Sequence, residues 1–341
     1  MSEIEHIAKK MLAKGKGILA ADESTGTMTK RLASVNVEST SVNRLKFRET
    51  LFSSEGMRNY ISGVILYDET IKQKTSSGKS IPELISESGA LPGIKVDTGT
   101  KKLAGSNDET ITEGLDGLQE RLKTYYDLGA RFTKWRGVFK ISITNNRPSI
   151  NAIKSNSHAL ARYSALVQEV GMVPIVEPEV LMDGDHDIKT CLQVTNMVLE
   201  ETFFQLSNSN VNLKGIVLKP NMILNGASSK LKNETKQVAE MTLDCLKTKV
   251  PAEVPGIAFL SGGQTEVEAT QNLNEINKIN NTNFLMSFSY GRALQQGALK
   301  NWGKNTKDTL NTQKIFNHRS KMNSLSTSGK WSENLEKKIT S

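Results

Sequence analysis

Short apolar runs alternate with longer amphipathic stretches along most of the chain. Eight runs of five to seven residues read as strands, at 17–21, 61–66, 91–96, 130–136, 172–176, 213–218, 256–260 and 284–288. Each is bounded by Gly, Pro or polar residues, and most are rich in β-branched or aromatic side chains. Helical spacing of apolar positions covers 114–126, 149–170, 187–206, 234–247 and 266–277. The later strand starts fall about 28 to 43 residues apart, the length of a strand–helix unit whose crossover leaves the strands parallel. Eight such units predict a closed (β/α)8 TIM barrel, an α/β fold, with a helical extension at the N-terminus. An open doubly wound sheet is the alternative, but no Gly-x-Gly-x-x-Gly follows the first run. The barrel domain is expected over 1–316 and a polar, mobile C-terminal tail over 317–341, where Ser, Lys and Asn dominate.

In a TIM barrel the chemistry sits at the C-terminal ends of the strands. Those ends carry Asp22-Glu23-Ser24, then Lys95 and Asp97, Lys134 and Arg136, and Glu177 and Glu179. Lys219 follows, then Ser261-Gly262-Gly263, and last Ser289-Tyr290-Gly291-Arg292. Residues two apart on a strand share a face, so Lys134 with Arg136, and Glu177 with Glu179, point to the same mouth. Prolines at 178 and 220 hold Glu177 and Lys219 extended.

Lys219 is the most informative of these residues. Burying an amine at the end of an apolar strand is costly unless the amine is used. A low-dielectric pocket and a second cation nearby favour its neutral, nucleophilic form, and a neighbouring glutamate can move the protons of imine formation. Each residue also has a structural reading. Lys219 could snorkel into water, Asp22 could cap a helix, and the glutamates could be ion-pair partners for Lys134 and Arg136. One mouth must nevertheless hold all these carboxylates and cations at once, a poor device if stability were the only purpose. Ser261-Gly262-Gly263 and Gly291-Arg292 are each expected to open a helix and offer backbone and guanidinium to a phosphate. Ser24 and Thr27 offer hydroxyls to a second one.

Composition narrows the classes. The chain is 37 % hydrophobic and 23 % charged, with net charge +8. Its lysines are dispersed and no nucleic-acid-binding motif is present, so no nucleic-acid partner is expected. No apolar run reaches the length of a membrane span and no signal peptide opens the chain, so a cytoplasmic protein without a membrane partner is expected. Cys191 and Cys245 make no disulfide framework. The histidines, at 6, 158, 186 and 318, end no strand, and Asp183–Asp187 reads as a turn and helix cap, so no metal site is expected.

Gly15–Gly26, Ile94–Asp97, Lys134-Trp-Arg136, Val176–Glu179, Leu218–Asn221, Phe259–Gln264 and Phe288–Leu294 together resemble the class I fructose-1,6-bisphosphate aldolases, in order and at family spacing from about Gly15 to Trp302. The resemblance implies reversible aldol cleavage of fructose 1,6-bisphosphate to dihydroxyacetone phosphate and glyceraldehyde 3-phosphate, in glycolysis and gluconeogenesis. It implies a homotetramer, a sugar bisphosphate as partner, and no cofactor. It makes Lys219 the Schiff-base nucleophile, Glu177 the general acid and base, and Glu179 the support of the lysine pair. Asp22, Lys95, Lys134 and Arg136 orient substrate hydroxyls. Ser261, Gly262, Gly263, Ser289, Gly291 and Arg292 form the C1-phosphate side. Ser24, Thr27 and Lys95 form the C6-phosphate side, with Arg31 and Arg44 near it. Thr27 stands where the family usually has serine. The sequence ends Lys337-Lys-Ile-Thr-Ser341 where eukaryotic members carry a tyrosine, so enamine protonation is assigned to another group or to water. A phosphosugar isomerase on the same barrel would not need Lys219, and a scaffold without catalysis would not need to keep the charged set.

Overall fold

The computed structural model describes residues 2–337. Eight parallel strands close into a barrel: β1 (Gly17–Ala20), β2 (Ile61–Leu66), β3 (Leu91–Lys95), β4 (Phe132–Phe139), β5 (Val173–Val180), β6 (Val217–Leu218), β7 (Gly256–Phe259) and β8 (Leu285–Tyr290). Each lies beside its neighbour in the chain. β8 returns to β1 through the pairs Ile18–Ser289 and Leu19–Tyr290, so the barrel has no open edge. This is the (β/α)8 TIM barrel expected from the spacing of the apolar runs. The five expected helices appear as Leu118–Asp127, Ile150–Glu169, Ile188–Asn208, Thr235–Lys249 and Glu266–Ile279.

Strand periodicity divides each strand between two environments. Ile18, Phe132, Val173, Ile175, Val217 and Ala258 point inward and form the apolar floor of the barrel. Leu19, Trp135, Val176, Leu218, Ile257 and Tyr290, of the opposite parity, join the core beneath the helices. The Phe132 ring fills the floor so closely that a Cβ at Gly93 would lie 2.3 Å from it, and glycine is required there by space. The first helix, Glu3–Met11, lays Ile7, Ala8 and Met11 against this floor and closes the N-terminal end of the barrel. Continuing each inward row toward the other end brings Asp22, Lys134, Glu177 and Lys219 to the open mouth.

The C-terminal segment differs from the expected tail. The helix Thr309–Ser326 runs straight through the 316/317 boundary. Phe316 and Met322 are buried, Thr270 Oγ1 donates to Asn323 Oδ1 at 2.6 Å, and Trp331 N donates to Asn274 Oδ1 at 2.9 Å. The segment through Trp331 therefore docks on the barrel, and Glu336 folds back onto Arg319 of this helix. Many of the buried side chains here are polar, Thr312, Ser320, Asn323 and Ser326 among them, so the helix lacks the apolar stripe that would announce it. Residues 338–341, part of the expected tail, lie outside the described residues. An antiparallel hairpin, Gly99–Lys102 with Thr110–Glu113, also arises where no strand was read. Burial pushes the thiol of Cys191 up to about 11 and that of Cys245 up to about 12, which suits small buried side chains rather than nucleophiles.

Candidate active site

A cavity of about 600 Å³ opens at the C-terminal mouth of the barrel. Its centre is a chain of ion pairs. Lys219 Nζ lies 3.1 Å from Glu177 Oε1, Lys134 Nζ lies 3.2 Å from Glu177 Oε2, and the same Nζ lies 2.8 Å from Asp22 Oδ2. Glu177 thus bridges two lysines, and Lys134 bridges two carboxylates. These groups are withdrawn from solvent: Lys219 and Glu177 are 4 % exposed and Lys134 is 5 % exposed. The strands explain the assembly. Lys95 pairs in register with Lys134, Arg136 with Glu177, and Lys219 N donates to Val176 O at 2.8 Å, which fixes β6 against β5 at the point where the lysine leaves the sheet. Farther out, Arg136 Nη1 holds Glu179 Oε2 at 2.9 Å and Lys95 Nζ holds Asp97 Oδ1 at 3.0 Å.

The electrostatics follow from this geometry. Burial raises the Asp22 carboxyl, but Lys134, Lys219 and Lys95 outweigh it and hold Asp22 well below its ordinary value. Burial likewise raises Glu177, and Lys134, Lys219 and Arg136 bring it below its ordinary 4.5. Burial disfavours the Lys134 cation, yet Asp22, Glu177 and Asp97 more than compensate and raise it. Glu179 goes the other way: burial raises it and Arg136 offsets this only in part. The centre therefore holds an ionised Glu177 beside a fixed Lys134 cation, with a more readily protonated Glu179 on the same cavity wall.

Two sides of the cavity suit anions. On one, Ser24 caps the helix Thr25–Ala33 by accepting from Thr27 N at 3.3 Å, and Thr27 and Arg31 lie one turn apart on that helix. On the other, Gly291 precedes the helix Arg292–Lys304, whose N-terminus faces the cavity beside Ser289. Ser289 Oγ and Asp97 Oδ2 are buried polar atoms without a hydrogen-bond partner among the described residues, and both belong to the lining. Buried atoms of this kind are where a polar ligand completes a site.

Of the residues singled out in the sequence, Asp22, Ser24, Thr27, Arg31, Lys95, Lys134, Arg136, Glu177, Glu179, Lys219, Ser261, Gly262, Gly263, Ser289, Gly291 and Arg292 line this one cavity. Arg44 does not. Its guanidinium faces Glu69, with Nε at 2.8 Å, and donates to Ser39 O at 2.7 Å. Asp22 caps no helix; Ser24 does. Ser261-Gly262-Gly263 opens no helix either. Gly262 and Gly263 take left-handed φ of 55° and 80° in a turn, and the helix starts at Glu266 behind a Thr265–Glu268 capping box that satisfies its N-terminus internally. Among the described residues, only Gly291 and Arg292 present a helix end to the cavity on this side. Asp187 caps Ile188–Asn208, as its turn chemistry implied. Sequence reading assigned no role to Glu23, Gly99 and Thr100, which also line the cavity. The last two arrive on the hairpin, which carries little apolar signal.

The family model described as "Fructose-bisphosphate aldolase class-I" matches residues 3–341. The chain is 50 % identical over 332 residues to the probable fructose-bisphosphate aldolase class 1 of Xanthomonas axonopodis pv. citri, covering 97 % of this chain and 99 % of the relative. It is 53 % identical over 316 residues to cytosolic fructose-bisphosphate aldolase 4 of Arabidopsis thaliana, covering 92 % and 80 %. Among solved structures, the fructose-bisphosphate aldolase of Plasmodium falciparum, crystallised with TRAP and a small-molecule inhibitor, superposes with a TM-score of 0.95 at 42 % identity, covering 97 % of this chain and 95 % of that one.

Proposed function

The chain belongs to the class-I fructose-bisphosphate aldolase family, a lyase family whose reaction requires no metal ion, and from that premise we propose that Lys219 forms the Schiff base through which it cleaves fructose 1,6-bisphosphate. The observation that carries this reading is Lys219 Nζ at 3.1 Å from a buried, ionised Glu177, itself held by Lys134.

The steps follow from the neighbours. Lys219 attacks the C2 carbonyl carbon as the neutral amine, and Glu177 is within reach of the proton it must lose. Glu177 returns that proton to the carbinolamine hydroxyl, which leaves as water, and a protonated imine remains. Its positive nitrogen draws in the electrons of the C3–C4 bond as that bond breaks, so the product on the lysine is a neutral enamine instead of a carbanion. Glu177, kept ionised by Lys134 beside the imine nitrogen, takes the C4 hydroxyl proton as glyceraldehyde 3-phosphate forms. The enamine is then protonated at C3, and hydrolysis of the imine releases dihydroxyacetone phosphate. Lys134 stays cationic between Asp22 and Glu177 and stabilises negative charge developing on substrate oxygens. Lys95, Arg136 and Asp22 orient hydroxyls. Gly291, Arg292, Ser289 and the Ser261–Gly263 turn receive one phosphate, and Ser24, Thr27 and Arg31 the other.

A homotetramer working in the cytoplasm also fits. Met197 and Phe204, seven residues apart on one outward face of Ile188–Asn208, leave apolar surface suited to a second copy. No helix among the described residues is long and apolar enough to cross a membrane. A Lys219→Met variant assayed by coupled oxidation of NADH tests the catalytic reading. Cleavage should disappear while the melting temperature changes little, and the wild type should keep its activity in EDTA. Residual cleavage at more than about a thousandth of the wild-type rate would remove Lys219 from the covalent role.

A further inference from the structure

We propose that Arg48, outside the cavity, is a positioning residue for the phosphate-binding side: it takes over the Glu23 carboxylate when Arg31 leaves that carboxylate for a substrate phosphate. This rests on the reading that Ser24, Thr27 and Arg31 receive a phosphate. Glu23 lines the cavity yet is only 8 % exposed. Its Oε1 accepts from Arg31 and, at 3.0 Å, from Gln295 Nε2. Its Oε2 is buried and accepts from no described residue. Behind it lies Arg48, 1 % exposed, donating from Nη2 to Glu23 O at 2.9 Å and from Nη1 to Thr70 Oγ1 at 2.8 Å. Arg48 Nη2 stands 3.5 Å from Glu23 Oε2, beyond a good hydrogen bond, and Arg48 Nε is also buried and unpartnered among the described residues.

A buried donor and a buried acceptor of opposite charge are thus left unmatched within one cluster, an arrangement that native cores rarely tolerate without a use. The use follows from charge. An arriving phosphate competes with Glu23 for Arg31, whose side chain is 22 % exposed and already lines the cavity. If Arg31 left alone, the buried Glu23 carboxylate would keep only Gln295 and the long 3.5 Å approach of Arg48, a weakened pairing that is costly for a buried charge. A short closure of Arg48 onto Oε2 replaces the lost charge-assisted hydrogen bond. Glu69 also lies within range of the Arg48 charge, but both its carboxylate oxygens are held by Arg44, and Gln295 is neutral.

The test is a double-mutant cycle read with two substrates, fructose 1,6-bisphosphate and fructose 1-phosphate, which lacks the phosphate assigned to Arg31. Arg48→Lys keeps the charge but loses the fork that holds Thr70 and the Glu23 carbonyl while facing the Glu23 carboxylate. It should raise KM for the bisphosphate about tenfold at unchanged kcat, alter kcat/KM for the monophosphate less than about twofold, and have no further effect in Glu23→Gln. Equal losses with both substrates, or a penalty that persists in Glu23→Gln, would overturn the proposal. If Arg48→Lys does not fold, Glu23→Gln alone decides: inorganic phosphate should inhibit it about threefold more tightly than wild type, because Arg31 is already released. Unchanged or weaker inhibition contradicts the exchange. Arg31→Ala separates the two readings. It should erase the preference for the bisphosphate. A preserved preference would sink the phosphate assignment and this proposal together, whereas a lost preference with a flat Arg48 cycle removes only the role of Arg48.

Discussion

Lys219 Nζ and Glu177 Oε1 stand 3.1 Å apart at the centre of the barrel mouth, and Lys134 holds the other oxygen of the same carboxylate at 3.2 Å. The base is therefore placed against the amine before substrate arrives and is kept ionised by its second cation. Replacing Glu177 by Gln keeps the shape and removes the proton acceptor. Turnover should fall by about 10²–10⁴-fold, with imine formation slowed in single-turnover trapping. A loss below tenfold would assign the proton transfers elsewhere.

Asp22 and Glu177 both have carboxyls held below their ordinary values in the folded protein. Such groups add stability above the unfolded pKa and lose it as pH falls through the folded one. Acidification below the ordinary values of 3.8 and 4.5 should therefore erode stability progressively. Asp22→Asn should cost about 1–3 kcal/mol near neutral pH, since Lys134 keeps Glu177, and should flatten the acid dependence. Denaturation midpoints at pH 7 and pH 3 measure both effects. An unchanged slope would deny Asp22 its part.

The two phosphate sides should separate kinetically. Arg292→Ala should raise KM about tenfold for fructose 1,6-bisphosphate and fructose 1-phosphate alike, because both carry the C1 phosphate. Thr27→Ala should raise it for the bisphosphate alone. Reversed selectivities would mean that the substrate lies the other way round in the cavity.

Met322→Ala should destabilise the protein by about 2–5 kcal/mol in urea denaturation, as a cavity in a packed core does. A loosely attached tail would tolerate it within about 0.5 kcal/mol.

Much of this site is legible before folding because of strand periodicity. Phe132 and Lys134, Ile175 and Glu177, and Val217 and Lys219 are pairs two residues apart, so each strand shows its apolar floor residue and its charged mouth residue in one row. What stays hidden depends on contacts between distant segments. The resemblance puts Arg44 near the C6-phosphate side, and only the fold gives its guanidinium to Glu69. Glu23 looked like a neighbour of Asp22, but it turns to Arg31, Arg48 and Gln295, as much as 272 residues away in the chain. Gly262 and Gly263 suggested a helix start, whereas their left-handed turn delays the helix until the Thr265 cap. The helix Thr309–Ser326 was missed because hydrogen bonds, such as that of Thr270 to Asn323, bury polar side chains where an apolar stripe would have been read.

The most direct measurement incubates the protein with dihydroxyacetone phosphate, reduces it with borohydride and maps the adduct by peptide mass spectrometry. One adduct is expected, on Lys219, absent from Lys219→Met. An adduct on Lys95 or Lys134 instead, or none on any lysine while cleavage proceeds, would contradict a Schiff base at Lys219.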